Sequence, residues 1–164
     1  MAHVNAPWAG SVTPVAPPPE AIPHTSTLVY AGIVTGAWSG LLSLLVYGLG
    51  RLLGVPFEMV TPFGHVLGAV PWYLPLLVPL VAGVLGGYLS ALALGRPHAG
   101  RIVFWAGTGI ALLSCIIPLA QSSEVLLSSR LWLLVPHLIT WFLVVPQLAR
   151  IVADSEPGMT MVRA

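Results

Sequence analysis

Charged residues are scarce in this sequence: they make up 7% of its 164 residues, whereas 57% are hydrophobic and the mean hydropathy is +0.92. A soluble domain carries about 25% charged residues, so a chain this apolar cannot cover its surface with polar groups in water and suits a lipid bilayer. Lysine is absent, and six arginines against five acidic residues leave a net charge of +1. No nucleic-acid partner is therefore expected, because such binding needs a basic surface.

Cysteine is nearly absent as well. The single Cys115 excludes an internal disulfide, a CxxC redox pair and a cysteine-rich zinc site. Residues 1–24 contain no arginine or lysine and no apolar core of the length that a secretory signal needs, so the first hydrophobic span is expected to act as an uncleaved anchor. Six prolines in this stretch disfavour helix. Residues 1–26 are predicted to be a disordered proline-rich tail, with a docking strip for a proline-reading partner as the functional alternative.

Long apolar runs, by contrast, are present four times, over about residues 27–50, 72–94, 101–119 and 131–151. Each is close to the roughly 20 residues that a helix needs to cross the hydrocarbon core. No Asp, Glu or Arg lies in the central part of any run, where each would cost roughly 2.5–3.5 kcal/mol. The sequence therefore predicts an all-α integral membrane four-helix bundle over residues 27–151, with the lipid bilayer as its partner and residues 152–164 as a short tail.

The connections between the runs differ in character. Residues 54–71 are too apolar for a free loop and too interrupted by proline for a fifth span, so this segment is expected to lie in the membrane interface. Four spans place both termini on one side of the membrane, together with the turn at residues 95–101. The arginines of that side are Arg96, Arg101, Arg150 and Arg163, and those of the other side are Arg51 and Arg130. The positive-inside rule then predicts a multi-pass protein of the cell membrane with both termini in the cytoplasm.

Small residues recur at four-residue spacing in two of the runs. They are Gly32, Gly36 and Gly40 in the first run, and Gly83 and Gly87 in the second. Residues spaced by four lie on one side of a helix, and small side chains let two helix backbones approach closely in a membrane. The main interpretation is a tight helix contact within the bundle; a contact between two copies of the chain and a ligand passage are the alternatives.

His137 is the one ionisable side chain well inside a predicted span. Ionisable groups in membranes are candidates for function, and Ser114 or Cys115 of the third run could pair with its ring. These three residues form the candidate intramembrane polar site. A neutral hydrogen-bonded histidine, a metal ligand and a proton relay are the interpretations. The other histidines fall in tails or connections, so a haem held between two histidines is not expected.

Catalytic motifs are missing from the sequence: it has no GxSxG elbow, no phosphate loop and no HExxH helix. We therefore expect no catalytic residue, no metal and no cofactor. Prolines recur in the second and fourth runs, at Pro75, Pro79, Pro136 and Pro146. Each lacks an amide donor; transporters use such interruptions to build binding sites, whereas ordinary kinks are the simpler interpretation.

A set of short motifs in the second half of the chain suggests a family. Ser114 and Pro118 come late in the third run, His137 lies early in the fourth, and Pro146 with Leu148-Ala149-Arg150 closes it. In these features the chain resembles a bacterial family of small four-span membrane proteins that is known only as a domain of unknown function. The resemblance spans roughly residues 27–151, and Pro136 departs from the family pattern. It implies the fold but no activity.

The combined features favour a small, non-enzymatic membrane protein. An accessory or packing subunit of a larger membrane complex, or a self-associating protein, is the leading interpretation. The alternative is a small transporter or permeation unit built on the proline-containing second and fourth runs, and an intramembrane enzyme is a third, less favoured class.

Overall fold

The computed structural model describes residues 23–60 and 66–157. The predicted disordered tail, residues 1–26, lies outside the described residues except for its last four, and the final two of these, Thr25 and Ser26, already belong to the first helix. Residues 158–164 of the predicted C-terminal tail also lie outside the described residues.

The described chain forms four helices and one short two-stranded sheet. In chain order the elements are α1 (Thr25–Leu52), β1 (Glu58–Val60), β2 (Leu67–Ala69), α2 (Leu74–Ala91), α3 (Ala99–Leu119) and α4 (Leu127–Ala153). Each helix is long and apolar enough to cross a membrane, which confirms the predicted helical membrane fold. Helix α2 is shorter than predicted because the amides of residues 92–94 bond carbonyls three residues back instead of four, which tightens the chain into turns.

Helix α4 contacts all three other helices. Helix α1 packs against α2 and α4, and α4 also contacts α2 and α3. We call the end that carries the sheet the hairpin end, and the end that carries the start of α1, the end of α4 and the α2–α3 turn the terminal end. The core at the terminal end draws on α1, α3, α4 and the turn after α2, and it consists of Leu28, Ala93, Ala99, Val103, Val144, Leu148, Ala149 and Val152. A second, smaller core lies under the sheet at the hairpin end.

The connection between α1 and α2 folds into a β-hairpin, which the sequence analysis did not predict. Strand β1 pairs with β2 in antiparallel register, with Met59 opposite Gly68. The amides on the outer edge of β1 donate hydrogen bonds to side chains outside the hairpin. Glu58 N–H donates to the hydroxyl of Ser129 over 3.4 Å, and Val60 N–H donates to the amide oxygen of Gln121 over 2.8 Å. The hairpin is therefore a docked cap on the helices.

The C-terminal segment after α4 closes the other end of the bundle. The N–H of Gly95, in the α2–α3 turn, donates to the hydroxyl of Ser155 over 3.2 Å. The N–H of Gly100, in the first turn of α3, donates to a carboxylate oxygen of Glu156 over 2.9 Å. His98, the residue before α3, provides no side-chain cap, so Glu156 supplies from a distant part of the chain the negative group that a helix N-terminus favours.

Replacing Glu156 with alanine is expected to lower the free energy of unfolding by about 1 kcal/mol, because the Gly100 amide loses its acceptor and the α3 N-terminus loses a negative charge. Glu156→Gln keeps an acceptor and should cost roughly half as much. Asp154 is exposed on the same segment, so Asp154→Ala is the control and should change stability little. Thermal unfolding in detergent measures all three variants; equal stability of the Glu156→Ala and Asp154→Ala proteins would contradict the capping role.

Candidate functional site

The glycine stripe of α1 lies directly on α2 of the same chain. A Cβ atom placed on Gly36 would lie 2.8 Å from the carbonyl oxygen of Pro79, and one placed on Gly40 would lie 2.5 Å from that of Leu76. Gly32 and Gly83 meet backbone to backbone, and any Cβ on either would overlap the other residue. Because the two backbones are in van der Waals contact, no solute could pass between α1 and α2 along this stripe.

Gly87 continues this contact toward the terminal end. A Cβ atom on Gly87 would lie 2.7 Å from the carbonyl oxygen of Leu28 and 2.8 Å from the Cα atom of Val29. Of the partners that the sequence left open for the stripe of α1, a second copy of the chain or the second span, the structure places the second span against it. Close packing of this kind, rather than apolar burial, is what holds helices together in lipid.

The prolines within α2 and α4 do not break those helices. Helix α2 continues through Pro79, and α4 continues through Pro136 and Pro146. Pro136 instead takes part in a polar link between helices, because its carbonyl oxygen accepts a hydrogen bond from the Thr140 hydroxyl over 2.7 Å.

The link from α4 to α1 passes through Thr140. Its hydroxyl oxygen lies 2.9 Å from that of Ser39 on α1. A threonine hydroxyl has one hydrogen, and Thr140 uses it on the Pro136 carbonyl, so Ser39 must be the donor to Thr140. Ser39 is fully buried. This hydroxyl pair therefore joins α1 to α4 inside the bundle, at a point where lipid and water offer no competing partner.

A buried hydroxyl one turn further along α1 has no such partner. Ser43 is fully buried, and its hydroxyl oxygen makes no hydrogen bond to any residue in the described parts of the chain. Burying a hydroxyl without a hydrogen bond is unfavourable. Among the described residues, Ser43 therefore carries the one fully buried side-chain polar atom that has no hydrogen-bond partner.

The predicted polar site of His137, Ser114 and Cys115 is not a hydrogen-bonded cluster. Nδ1 of His137 lies 2.8 Å from the carbonyl oxygen of Leu133, one turn earlier in α4. The Ser114 hydroxyl donates to the carbonyl of Ala111 over 2.7 Å, within α3. Cys115 is a half-buried free thiol. Both polar side chains thus bond to their own helices instead of to each other.

The His137 bond shows which ring nitrogen carries a proton. A carbonyl oxygen can only accept, so Nδ1 is protonated and donates to Leu133.

Ser114 is nevertheless close in depth to His137. The indole N–H of Trp141 donates to the Thr108 hydroxyl over 3.0 Å, and from that bond Ser114 lies six residues along α3 and His137 four residues back along α4. At 1.5 Å per residue the two depths differ by roughly 3 Å.

The bonds that do cross between helices were missed in the sequence analysis. They are Ser39 to Thr140 and Trp141 to Thr108. One sequence signal could have indicated them: each hydroxyl is next to a glycine that lies in a helix contact. Ser39 precedes Gly40, and Thr108 follows Gly107. A Cβ atom on Gly107 would lie 2.9 Å from the Val145 side chain. His137, the more conspicuous residue, lies on α4 outside these contacts.

Replacing His137 with leucine or with glutamine is expected to be almost equally mild, with less than about 1 kcal/mol lost from the free energy of unfolding. In a helix the Leu133 carbonyl already accepts the backbone amide of residue 137, so removing the ring leaves no carbonyl without a donor. Thermal unfolding in detergent measures both variants. A loss for the leucine variant at least 2 kcal/mol larger than for the glutamine variant would show that Nε2 has a partner on another helix.

Metal-binding groups do not converge in the described residues. Within residues 23–60 and 66–157, no group of three or more His, Cys, Asp or Glu side chains is placed to hold a metal ion. An outward-facing apolar depression on α4 is lined by Leu131, Trp132 and Val135, which offer only an indole N–H for polar chemistry.

Comparison with known proteins finds one family. The family model described as "Family of unknown function (DUF6069)" matches residues 23–154. The match begins two residues before α1 and ends one residue after α4, so it covers the four helices and the hairpin together. No curated protein and no solved structure matches the chain.

Proposed function

Because the chain belongs to DUF6069, a family of unknown function, and has four helices that can each span a membrane, we propose that it is a non-enzymatic accessory or packing subunit of a larger membrane assembly. The four apolar helices fit a small membrane protein, and the family description assigns no reaction. The more specific role rests on the interior of the bundle.

The observation that carries the proposal is that the polar side chains of the bundle bond almost entirely to the protein itself. Thr35, Ser114 and Thr140 each donate to a carbonyl of their own helix. Ser39 and Trp141 bond across helices. An enzyme needs convergent polar groups that are available to a substrate, and a transporter needs a polar path at mid-membrane. A bundle whose polar groups are used internally fits a structural partner best.

The alternative is a small transporter or permeation unit built on α2 and α4. The unsatisfied hydroxyl of Ser43 favours it, since a buried polar atom without a partner is where a permeating solute or a water molecule could bind. Pro79 and Pro136 add to it, because each removes an amide donor from the interior of a helix and leaves a carbonyl available.

Two measurements separate these functions. Purification of the full chain from its native membrane in a mild detergent should recover a larger complex with defined stoichiometry. Reconstituted alone in liposomes, the chain should pass protons, Na⁺ and K⁺ no faster than empty liposomes do. Purification without any partner, together with a flux that the Ser43→Val variant abolishes, would overturn the accessory role in favour of transport.

We also propose that the terminal end faces the cytoplasm, on the basis of the four-to-two distribution of arginines. A fluorescent reporter that matures only in the cytoplasm should be bright when fused to the C-terminus and dark when inserted after Glu124, in the α3–α4 connection. Cell fluorescence, normalised to the amount of fusion protein, measures the orientation of both fusion proteins. The reverse pattern would contradict the proposed topology.

A further inference from the structure

The arginines at the two ends of the bundle are used differently. At the hairpin end, Arg51 donates to the carbonyl of Pro56 over 2.9 Å, and Arg130 donates to the carbonyls of Val125 and Ser122. At the terminal end, Arg101 and Arg150 are exposed and make no hydrogen bond to any residue in the ranges 23–60 and 66–157. The hairpin-end guanidinium groups stabilise loops, whereas these two remain available to a ligand.

Close packing of α3 on α4 brings these two arginines together. Arg101 follows Gly100, and a Cβ atom on Gly100 would lie 2.7 Å from the Ala153 Cβ atom and 2.9 Å from the Ala149 carbonyl oxygen. Arg150 follows Ala149. We call the line of contact between α3 and α4 at this end the seam. The helix backbones nearly touch there, so the two arginines begin from neighbouring points.

The antiparallel arrangement also turns both arginines to the same side of the seam. Each residue along a helix advances by about 100°. Viewed from the terminal end, α3 runs away from the viewer and α4 runs toward the viewer, so this advance is clockwise on α3 and counterclockwise on α4. On each helix the rotation starts from the direction that points at the other helix. Because the two starting directions are opposite and the two rotations are opposite, both side chains end on the same side of the seam. Arg101 and Arg150, each one step beyond a seam residue, therefore share one face.

The surroundings of this face suit a phospholipid. Trp105 lies one turn along α3 from Arg101 and is 65% exposed, which is the place of an interfacial indole just below a headgroup. Gln147 lies one turn back along α4 from Arg150 and is exposed, so its amide can donate at the level of the glycerol. The two positive charges thus lie one helical turn closer to the aqueous phase than the indole and the amide.

Two acidic residues of this end, Asp154 and Glu156, lie near the arginines in the chain fold. Asp154 follows the end of α4, four residues beyond Arg150, which is roughly 6 Å along the helix axis. Glu156 accepts the bond from Gly100 N–H. Asp154 thus lies further toward the aqueous side than Arg150, and the Glu156 carboxylate is engaged by the α3 N-terminus.

We propose that Arg101 and Arg150 together bind the phosphate of an anionic phospholipid on the α3–α4 face, with Trp105 and Gln147 against its glycerol region. Two guanidinium groups can each form paired hydrogen bonds to phosphate oxygens, and basic residues beside transmembrane helices recognise anionic headgroups. The site requires no particular orientation of the termini.

Native mass spectrometry of the full chain tests the proposal. The protein is released from mixed micelles of phosphatidylglycerol and phosphatidylcholine, and retained lipid of each kind is counted. The native protein should retain phosphatidylglycerol preferentially. The Arg101→Gln/Arg150→Gln protein should bind it roughly 25-fold more weakly, about fivefold for each guanidinium. Its thermal unfolding in phosphatidylcholine micelles should match that of the native protein, because neither arginine bonds to the described chain.

Arg96 provides the matched control, because it is exposed at the same end but lies in the α2–α3 turn instead of on α3 or α4. Arg96→Gln removes the same charge and should change phosphatidylglycerol retention less than twofold. An effect of Arg96→Gln as large as that of Arg101→Gln would show a diffuse charge effect and overturn the site. Displacement of the lipid by millimolar inorganic phosphate would overturn the assignment to a lipid.

Discussion

Replacing Gly36 with leucine should lower the free energy of unfolding by about 3 kcal/mol, the upper part of the range for an overpacked core, and the unfolding temperature in detergent by roughly 10 °C. The reason is backbone contact: even a Cβ atom at this position would lie 2.8 Å from the Pro79 carbonyl oxygen and 3.1 Å from the Cα atom of Leu80. A backbone cannot rotate away as a flexible side chain can, so α1 and α2 must separate.

Gly48 is the matched control for this change. It lies on the same helix, three turns further along, and a Cβ atom there would meet nothing within 4 Å. Alanine discriminates most sharply between the two positions. Glycine to alanine in a helix normally stabilises by roughly 0.5–1 kcal/mol, so Gly48→Ala should raise stability while Gly36→Ala lowers it. If both alanine variants are stabilised, the close contact of α1 with α2 is wrong.

The same variants test where the contact lies. Because the stripe meets α2 of its own chain, Gly36→Leu should destabilise the protein whatever its oligomeric state. If the stripe instead joined two copies of the chain, the leucine variant would be a stable monomer. Size-exclusion chromatography with light scattering, run beside the thermal measurement, distinguishes these results.

The helices could be predicted from the sequence because each depends on the length of an apolar run. The glycine stripe could be predicted because it depends on regular spacing. A hydrophobic run of about 20 residues without central charge has few alternatives to a membrane helix. Glycines at 32, 36 and 40 must share a side of that helix. The partner of the stripe could not be read, since the spacing of Gly83 and Gly87 would suit a contact within one chain or between two.

The hairpin could not be predicted from the sequence because its strands are short and its backbone conformation is unusual. Strands β1 and β2 have three residues each, too few for an alternating pattern to be recognised. Their stability comes from the distant partners Ser129 and Gln121, which lie about 60–70 positions later in the chain. Phe57, at the base of the hairpin, has a φ of +50°, a backbone conformation that no pattern of neighbouring residues predicts for phenylalanine.

The hydrogen bonds between helices could not be predicted for a related reason. His137 stands out in the sequence because it is ionisable, yet its ring bonds to its own helix. Serine and threonine are common in membrane helices, and only the facing of two helices decides which of them meet. Ser39 and Thr140 are 101 positions apart. Their contact depends on the packing of α1 on α4, so no pattern of neighbouring residues indicates it.

Phe57 holds the hairpin on the helices. Its side chain is 1% exposed, and its ring lies 4.6 Å from that of Tyr47 and 6.3 Å from that of Trp132, centroid to centroid. The ring occupies the space that Gly50 leaves open, since a Cβ atom on Gly50 would lie 2.5 Å from it. The left-handed backbone costs roughly 1–2 kcal/mol for a residue other than glycine, so the packing of the ring must exceed that cost.

Replacing Phe57 with alanine should therefore detach the hairpin while the helices stay folded. Truncating a buried phenylalanine costs roughly 3–5 kcal/mol, and the alanine would keep the backbone strain without the ring that offsets it. The bond from Val70 N–H to the Phe57 carbonyl, and that from the Tyr47 hydroxyl to the Val70 carbonyl, would then open together. Hydrogen exchange should show loss of protection at Val70 and Met59, with helical circular dichroism unchanged.

Leu67→Ala is the control, because Leu67 lies on β2 and is 39% exposed, so it removes apolar surface from the same hairpin without touching the ring cluster. It should leave the protection of Val70 near that of the native protein. A Phe57→Ala protein with equally protected hairpin amides would mean that the side-chain bonds from Ser129 and Gln121 hold the cap without the ring. Loss of helical structure along with the hairpin would mean that the cap is part of the folding core, because α1 and α4 would then depend on Phe57 to stay together at this end.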